Sequence, residues 1–69
     1  MMGYGVVIER AASNYSAYVP DLPGCVATGE TIEKVEEEIR AAIRFHLEGL
    51  REDGLPIPPP VSLCETVEV

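Results

Sequence analysis

Two cysteines and one histidine are the residues of this chain most suited to metal, redox or acid–base chemistry. Cys25 and Cys64 lie 39 positions apart and do not form a C-x-x-C pair. A zinc site needs three or four ligands at recognisable spacings, and His46 does not complete such a motif. We therefore expect no metal site, no disulfide and no catalytic residue among them. Both cysteines should act as small buried hydrophobes, and His46 should be packed rather than catalytic.

The segment over 19–25, Val-Pro-Asp-Leu-Pro-Gly-Cys, is the most distinctive stretch of the sequence. Its prolines fix their own φ near roughly −65° and bias the preceding residues, Val19 and Leu22, toward extended backbone. Gly24 supplies a position for positive φ, at which the chain can turn back into a sheet. The simplest interpretation is a rigid connection between two strands. The alternative is that this loop presents three residues to a partner: Asp21, Leu22 and Pro23.

Alternating apolar and polar residues predict strands on both sides of that segment. Residues 4–9 and 15–19 are rich in β-branched and aromatic side chains, and the short link between them favours an antiparallel hairpin. Residues 25–28 are enough for a short third strand, which Gly29 ends. The three strands should form a meander.

A long amphipathic helix is predicted over 32–53. Thr31 is placed to be its N-cap, and Gly54 to be the left-handed residue that follows its end. Apolar residues recur at steps of three and four along one side. This stripe, which should pack on the sheet, comprises Ile32, Val35, Ile39, Ala42, Ile43, His46, Leu47 and Leu50.

A second line of residues on the same helix lies outside the stripe. At about 100° per residue, Phe45 is roughly 120° or more from the centre of the stripe. Ala41 and Gly49 flank it one turn away on either side. We expect Phe45 to be exposed in a monomer and these three residues to form a flat patch that contacts another helix or subunit. The alternative is a stray surface aromatic residue.

After the helix, the proline-rich stretch over 55–60 must run extended and should return across the domain. Residues 61–69 alternate again, with Glu65 interrupting the apolar side, and predict a last strand. The predicted fold class is α+β in the order β-β-β-α-β, an antiparallel three- to four-stranded sheet with one long helix on one face. We expect a single domain over 1–69, without a DNA-binding domain.

The charge balance argues against direct binding to nucleic acids. The 69 residues include 12 acidic and 5 basic side chains, for a net charge of −7. Affinity for phosphate backbones comes from lysine and arginine, so a basic protein partner fits this chain better. No apolar run approaches the roughly 18 residues that span a bilayer, and the first residues do not resemble a leader. We expect a cytoplasmic protein that uses no cofactor.

Self-association is expected from the length of the chain, because 69 residues bury too little surface for much stability. One helix covers only one side of the sheet. The other side would leave Val7, Tyr18 and Val26 in water. We expect a homo-oligomer, a dimer or a tetramer, held through sheet edges and through the Phe45 side of the helix.

The order of these motifs resembles the HicB-like family of antitoxins. The resemblance spans nearly the whole chain and is carried by a strand with tyrosine and alanine, the 19–25 segment, Thr-Gly-Glu-Thr at 28–31 and Gly-Leu-Pro-Ile-Pro at 54–58. It implies a partial RNase H-like fold and a module that neutralises a HicA toxin by binding it. HicA toxins are small basic ribonucleases that degrade mRNA, and an acidic antitoxin would complement their RNA-binding surface.

Two alternatives to the antitoxin hypothesis stay open. HicB proteins typically carry a second, DNA-binding domain that is not found in this sequence, which leaves a solitary homo-oligomeric scaffold or regulator without a toxin. The RNase H-like resemblance also raises a metal-dependent nuclease, which needs several convergent carboxylates, normally including one in the middle of the first strand. Here that strand has only Glu9, at its end. We expect no enzyme activity, and explain the remaining candidates as loop and strand-edge charges: Asp21, Glu65 and Glu68.

Overall fold

The computed structural model describes residues 3–69 of the chain. Within these residues three strands are followed by one long helix. The elements are β1 (Val7–Arg10), β2 (Tyr15–Tyr18), β3 (Val26–Gly29) and α1 (Ile32–Glu52). The predicted α+β class, with antiparallel strands and one long helix, is confirmed.

The middle strand of the sheet is β2, which pairs antiparallel with β1 on one side and β3 on the other. Side chains alternate between the two faces of a strand, so the pairing register sorts them into rows. One row faces the helix and joins Ile8, Ala17 and Ala27. The row on the opposite face joins Val7, Tyr18 and Val26.

The connection between β2 and β3 is a tight turn held by its own backbone. The N–H of Leu22 donates to the carbonyl of Val19 at 3.1 Å, and the N–H of Cys25 donates to the carbonyl of Leu22 at 3.0 Å. Gly24 has φ of 83°, so its predicted left-handed conformation is confirmed. The two prolines and this glycine thus fold the segment inward and leave Leu22 with no exposed surface.

The helix begins and ends close to the predicted limits. The Thr31 side chain accepts a hydrogen bond from the N–H of Lys34 at 3.0 Å, which confirms it as the N-cap. At the other end Gly54 has φ of 67°, and the N–H of Leu55 donates to the carbonyl of Leu50 at 2.9 Å. This pattern is the left-handed C-terminal cap expected after Asp53.

The helix packs across β3 and β2 and makes no close backbone contact with β1. Gly29 permits its approach to β3, since a Cβ at that position would lie 2.5 Å from the backbone nitrogen of Val35. The core forms under this contact. Its buried hydrophobic residues are Ala17, Val19, Leu22, Cys25, Val35 and Ile39.

Residues 55–60 return across the domain as predicted, since Pro58 contacts Tyr4 and Val61 then binds Asp21. Over 61–69, however, the described chain has no strand. The prediction of a last strand over 61–69 is therefore wrong. Proline at positions 56, 58, 59 and 60 removes backbone donors just before it. The next two donors, the N–H groups of Val61 and Ser62, bind the carboxylate of Asp21 instead of a neighbouring strand.

The two cysteines differ in environment, and neither forms a disulfide. Cys25 belongs to the core, and burial raises the pKa of its thiol. Cys64 is exposed, so its expected burial is wrong. The prediction of burial is wrong because residues 61–69, predicted to be the last strand, lie outside the sheet. His46 is half-buried on the helix.

Candidate protein-binding surfaces

Asp21 attaches the returning chain to the sheet. Its Oδ2 accepts hydrogen bonds from the N–H of Val61 at 3.0 Å and of Ser62 at 2.9 Å, and its Oδ1 accepts one from the Ser62 hydroxyl at 2.7 Å. The Ser62 bonds, backbone first, hold the pKa of the Asp21 carboxyl below its usual range. The residue predicted to face a partner thus binds the chain's own later segment.

Two more contacts fix the same segment beside the start of β1. The Tyr4 hydroxyl donates a hydrogen bond to the carbonyl of Pro58. A Cβ on Gly5 would lie 3.1 Å from the Cys64 sulfur and 3.1 Å from the Ser62 carbonyl oxygen, so this glycine permits the close passage. The chain is therefore held as far as residues 62–64 at the end of the sheet where β1 begins.

The other two loop residues predicted to contact a partner differ in exposure: one is buried and the other lies at the surface. Leu22 is 0% exposed and packs in the core, so its predicted presentation at the surface is wrong. The turn folds the Leu22 side chain into the core, and removing its apolar surface from water stabilises the fold. Pro23 is exposed beside it.

The face of the sheet opposite the helix carries an apolar row. Tyr18 is 41% exposed and lies between Val7 and Val26, the latter 64% exposed. The adjoining row on this face is polar and comprises Glu9, Ser16 and Thr28. The predicted exposure of Tyr18 and Val26 is confirmed. Because the adjoining row is polar, the exposed apolar surface of this face is one row wide.

The helix exposes Phe45, as predicted, at 80% of its surface. Ala41 and Gly49, one turn before and after it, are also exposed. We call these three residues the Phe45 patch. Three acidic residues lie three or seven positions from Phe45 and so share its side of the helix: Glu38, Glu48 and Glu52. The patch is therefore an aromatic centre between two small residues, with an acidic rim.

The opposite flank of the helix borders a groove that the sequence did not predict. Because the helix lies over β2 and β3, it leaves the facing side of β1 open, and a groove of about 690 Å³ runs between them. Apolar residues form both walls: Tyr4, Val6 and Ile8 from the strand side, and Ile39, Ile43 and Leu47 from the helix. Its charged lining residues are Glu36, Arg40 and Arg44.

The last nine residues, 61–69, form what we call the C-terminal arm. Leu63 is 82% exposed and Val67 75% exposed, and Val61 and Val69 are exposed as well. Past its attachment at Ser62 the arm keeps its alternating sequence but buries none of these side chains in its own domain. Such an exposed apolar row is unusual for a monomer of this size.

The described residues contain neither a cluster of metal-ligating side chains nor a helix that could span a membrane. In residues 3–69 no three His, Cys, Asp or Glu side chains are grouped closely enough to hold a metal ion. The helix α1 is too polar to cross a bilayer.

Residues 4–68 match the family described as the HicB_like antitoxin of bacterial toxin-antitoxin systems. The chain belongs to this family. The resemblance inferred from the motifs over 19–25, 28–31 and 54–58 is thereby confirmed.

Relatives of this HicB-like chain occur in a bacteriophage and in bacteria. An uncharacterized 14.9 kDa protein from the rep-hol intergenic region of Haemophilus phage HP1 is 39% identical over 57 residues, which cover 83% of this chain and 43% of that protein. The UPF0150 protein of Helicobacter pylori is 41% identical over 49 residues, 71% of this chain and 68% of its own length. The HicB-like chain thus spans less than half of its phage relative.

A solved structure has the same fold. A chain of the HicA3 and HicB3 toxin-antitoxin complex superposes with a TM-score of 0.74 at 30% identity, over 86% of this HicB-like chain and 70% of that one.

Proposed function

We propose that this chain neutralises a HicA-type toxin by binding it directly, without catalysing a reaction. The observation that carries the proposal is the likeness to a chain of the HicA3 and HicB3 toxin-antitoxin complex, together with membership of the HicB-like antitoxin family. An antitoxin that acts by binding needs a surface complementary to the toxin and no reactive group of its own. The site is therefore an interface.

The Phe45 patch is the surface best suited to such a toxin. Aromatic side chains in the centre of an interface contribute much of its binding energy, and small neighbours let a partner approach closely. A HicA-type ribonuclease is basic because it binds RNA. The acidic rim formed by Glu38, Glu48 and Glu52 complements such a surface, whereas two copies of this patch would repel one another. We therefore assign the Phe45 patch to the toxin contact, where the sequence had predicted an oligomer contact.

Net charge supports the same assignment. With 12 acidic and 5 basic side chains, the chain carries a negative field that steers a basic partner toward it and repels RNA. By occupying the basic surface of the ribonuclease, the antitoxin would keep mRNA away from it. Because such a toxin acts where mRNA is translated, the proposal also places this chain in the cytoplasm.

The test is a titration of the chain with a purified HicA-type toxin from the same genome, followed by calorimetry at physiological salt. We expect a stoichiometric complex that Phe45→Ala weakens by about 2 kcal/mol or more, as for a central aromatic contact. Tyr18→Ala is the matched control, since it removes an exposed aromatic residue from the opposite side of the sheet. A loss with Tyr18→Ala alone would assign the toxin to the sheet face, and no complex at all would favour the solitary scaffold.

A further inference from the structure

The groove between β1 and α1 is an unfilled apolar site with an edge strand along one wall. Val6 and Ile8 line it from the strand side, and Ile39 and Ile43 line it from the helix. Because β1 is an edge strand, the backbone groups on its outer side face no other strand among residues 3–69. The groove thus offers both apolar surface and free strand hydrogen-bonding groups.

The charges of the groove point to an acidic occupant. Arg40 and Arg44 line its helix side, against one acidic residue, Glu36. The single ion pair in the described chain joins Lys34 to Glu37, so neither arginine is neutralised by a salt bridge of its own. Two such guanidinium groups would repel the basic toxin proposed above. They would attract a carboxylate presented by an otherwise apolar segment.

The C-terminal arm has the properties that this groove requires. In an extended conformation residues 61, 63, 65, 67 and 69 share one face. Four of them are apolar and exposed, and the fifth is Glu65. This one acidic residue interrupts the apolar row of the arm, as the arginines interrupt the apolar lining of the groove.

We propose that the C-terminal arm of one copy of this chain docks in the groove of a second copy, with Glu65 between Arg40 and Arg44, and that the exchange is reciprocal. The arm lies along the edge of the partner's β1 and adds a strand to its sheet. Its five residues beyond Cys64 reach about 17 Å at roughly 3.3 Å each, still more than the roughly 13 Å length of a four-residue strand.

A reciprocal exchange gives a closed dimer with two identical contacts. It leaves the Phe45 patch free, because that patch lies on the other flank of the helix. The dimer and the toxin contact therefore depend on different residues, and each can be tested without the other. The dimer is measured on this chain alone.

The experiment is a charge exchange followed by sedimentation velocity at micromolar concentration. One variant carries Arg40→Glu and Arg44→Glu, and the other carries Glu65→Arg. We expect the wild type to be a dimer and each variant alone to have a dimer dissociation constant at least about tenfold higher, because like charges then meet in both contacts. An equimolar mixture should form the heterodimer, in which both contacts again join opposite charges.

Glu68→Arg is the matched control, since it makes the same change of charge on the opposite face of the arm and should leave the dimer intact. Circular dichroism of each variant distinguishes a loss of association from a loss of folding. Because Glu65 is exposed, its replacement should not disturb the core. A monomeric wild type would overturn the proposal. So would variants that remain dimers, or a mixture that stays monomeric, which would indicate that the arm docks on its own chain.

Discussion

The Asp21 carboxylate binds Ser62 twice, through the backbone N–H at 2.9 Å and the hydroxyl at 2.7 Å, across 41 positions of sequence. This pair joins the turn between β2 and β3 to the point where the C-terminal arm leaves the domain. Both of its bonds go to an ionised carboxylate, and such bonds are stronger than those between neutral groups. The direction of the arm therefore depends on the charge of one side chain.

Attachment of the arm should depend on pH. The Ser62 bonds lower the pKa of Asp21 in the folded chain, so their contribution to stability is complete above the unfolded value of about 4 and is lost as pH falls through the folded value. In an NMR titration we expect the amide signals of Val61 and Ser62 to be constant at neutral pH and to shift only below about pH 4. A midpoint well above that value would contradict the assigned bonds.

The variant Asp21→Asn should release the arm at neutral pH. An amide keeps one oxygen acceptor but removes the charge that strengthens all three bonds. Hydrogen exchange at the Val61 and Ser62 amides should become faster, with little change in the core. Asp53→Asn, at the end of the helix, is the control and should leave these two amides protected.

Leu22 should contribute more to stability than its position in a loop suggests. Leu22→Ala removes a fully buried side chain and should cost about 2–5 kcal/mol in urea unfolding. A domain of this length has only about 3–10 kcal/mol in total, so the variant should be near the limit of folding. The same change at exposed Leu55 is the control and should cost much less. Equal effects would show that Leu22 is not packed as described.

Two glycines should respond to alanine in opposite directions. Gly29→Ala places a methyl group 2.5 Å from the backbone of Val35 and should destabilise the fold by about 1–3 kcal/mol, because the helix must move off β3. Gly49→Ala has open space around the added methyl group and improves helix propensity, so it should stabilise by about 1 kcal/mol. Thermal unfolding of both variants checks the pair, and a stabilised Gly29→Ala would contradict the close approach.

The elements that were predicted correctly are those that short-range patterns determine. The Thr31 cap, the positive φ of Gly24 and Gly54 and the exposure of Phe45 each follow from a few neighbouring residues. The acidic rim around Phe45 could have been found from the same helical spacing, by including charged as well as apolar residues.

The features that were missed depend on contacts between distant parts of the chain. Alternation over 61–69 is typical of a strand, but a strand forms only where another offers its edge, and here Asp21 takes the first two donors. Leu22 has an apolar side chain but lies in a Pro- and Gly-containing turn, where exposed residues are common. Only the path of the turn in the folded chain decides whether it is buried. The groove beside β1 results from the lateral position of the helix, which the apolar stripe does not specify.

If this chain neutralises a ribonuclease by covering it, added antitoxin should stop RNA cleavage in vitro. A purified HicA-type toxin from the same genome is incubated with mRNA while folded antitoxin is added. We predict that cleavage stops near one antitoxin chain per toxin, and that Phe45→Glu, which leaves the core untouched, requires at least about tenfold more protein. Undiminished cleavage in the presence of a large excess of the folded wild-type chain would rule out neutralisation by direct binding.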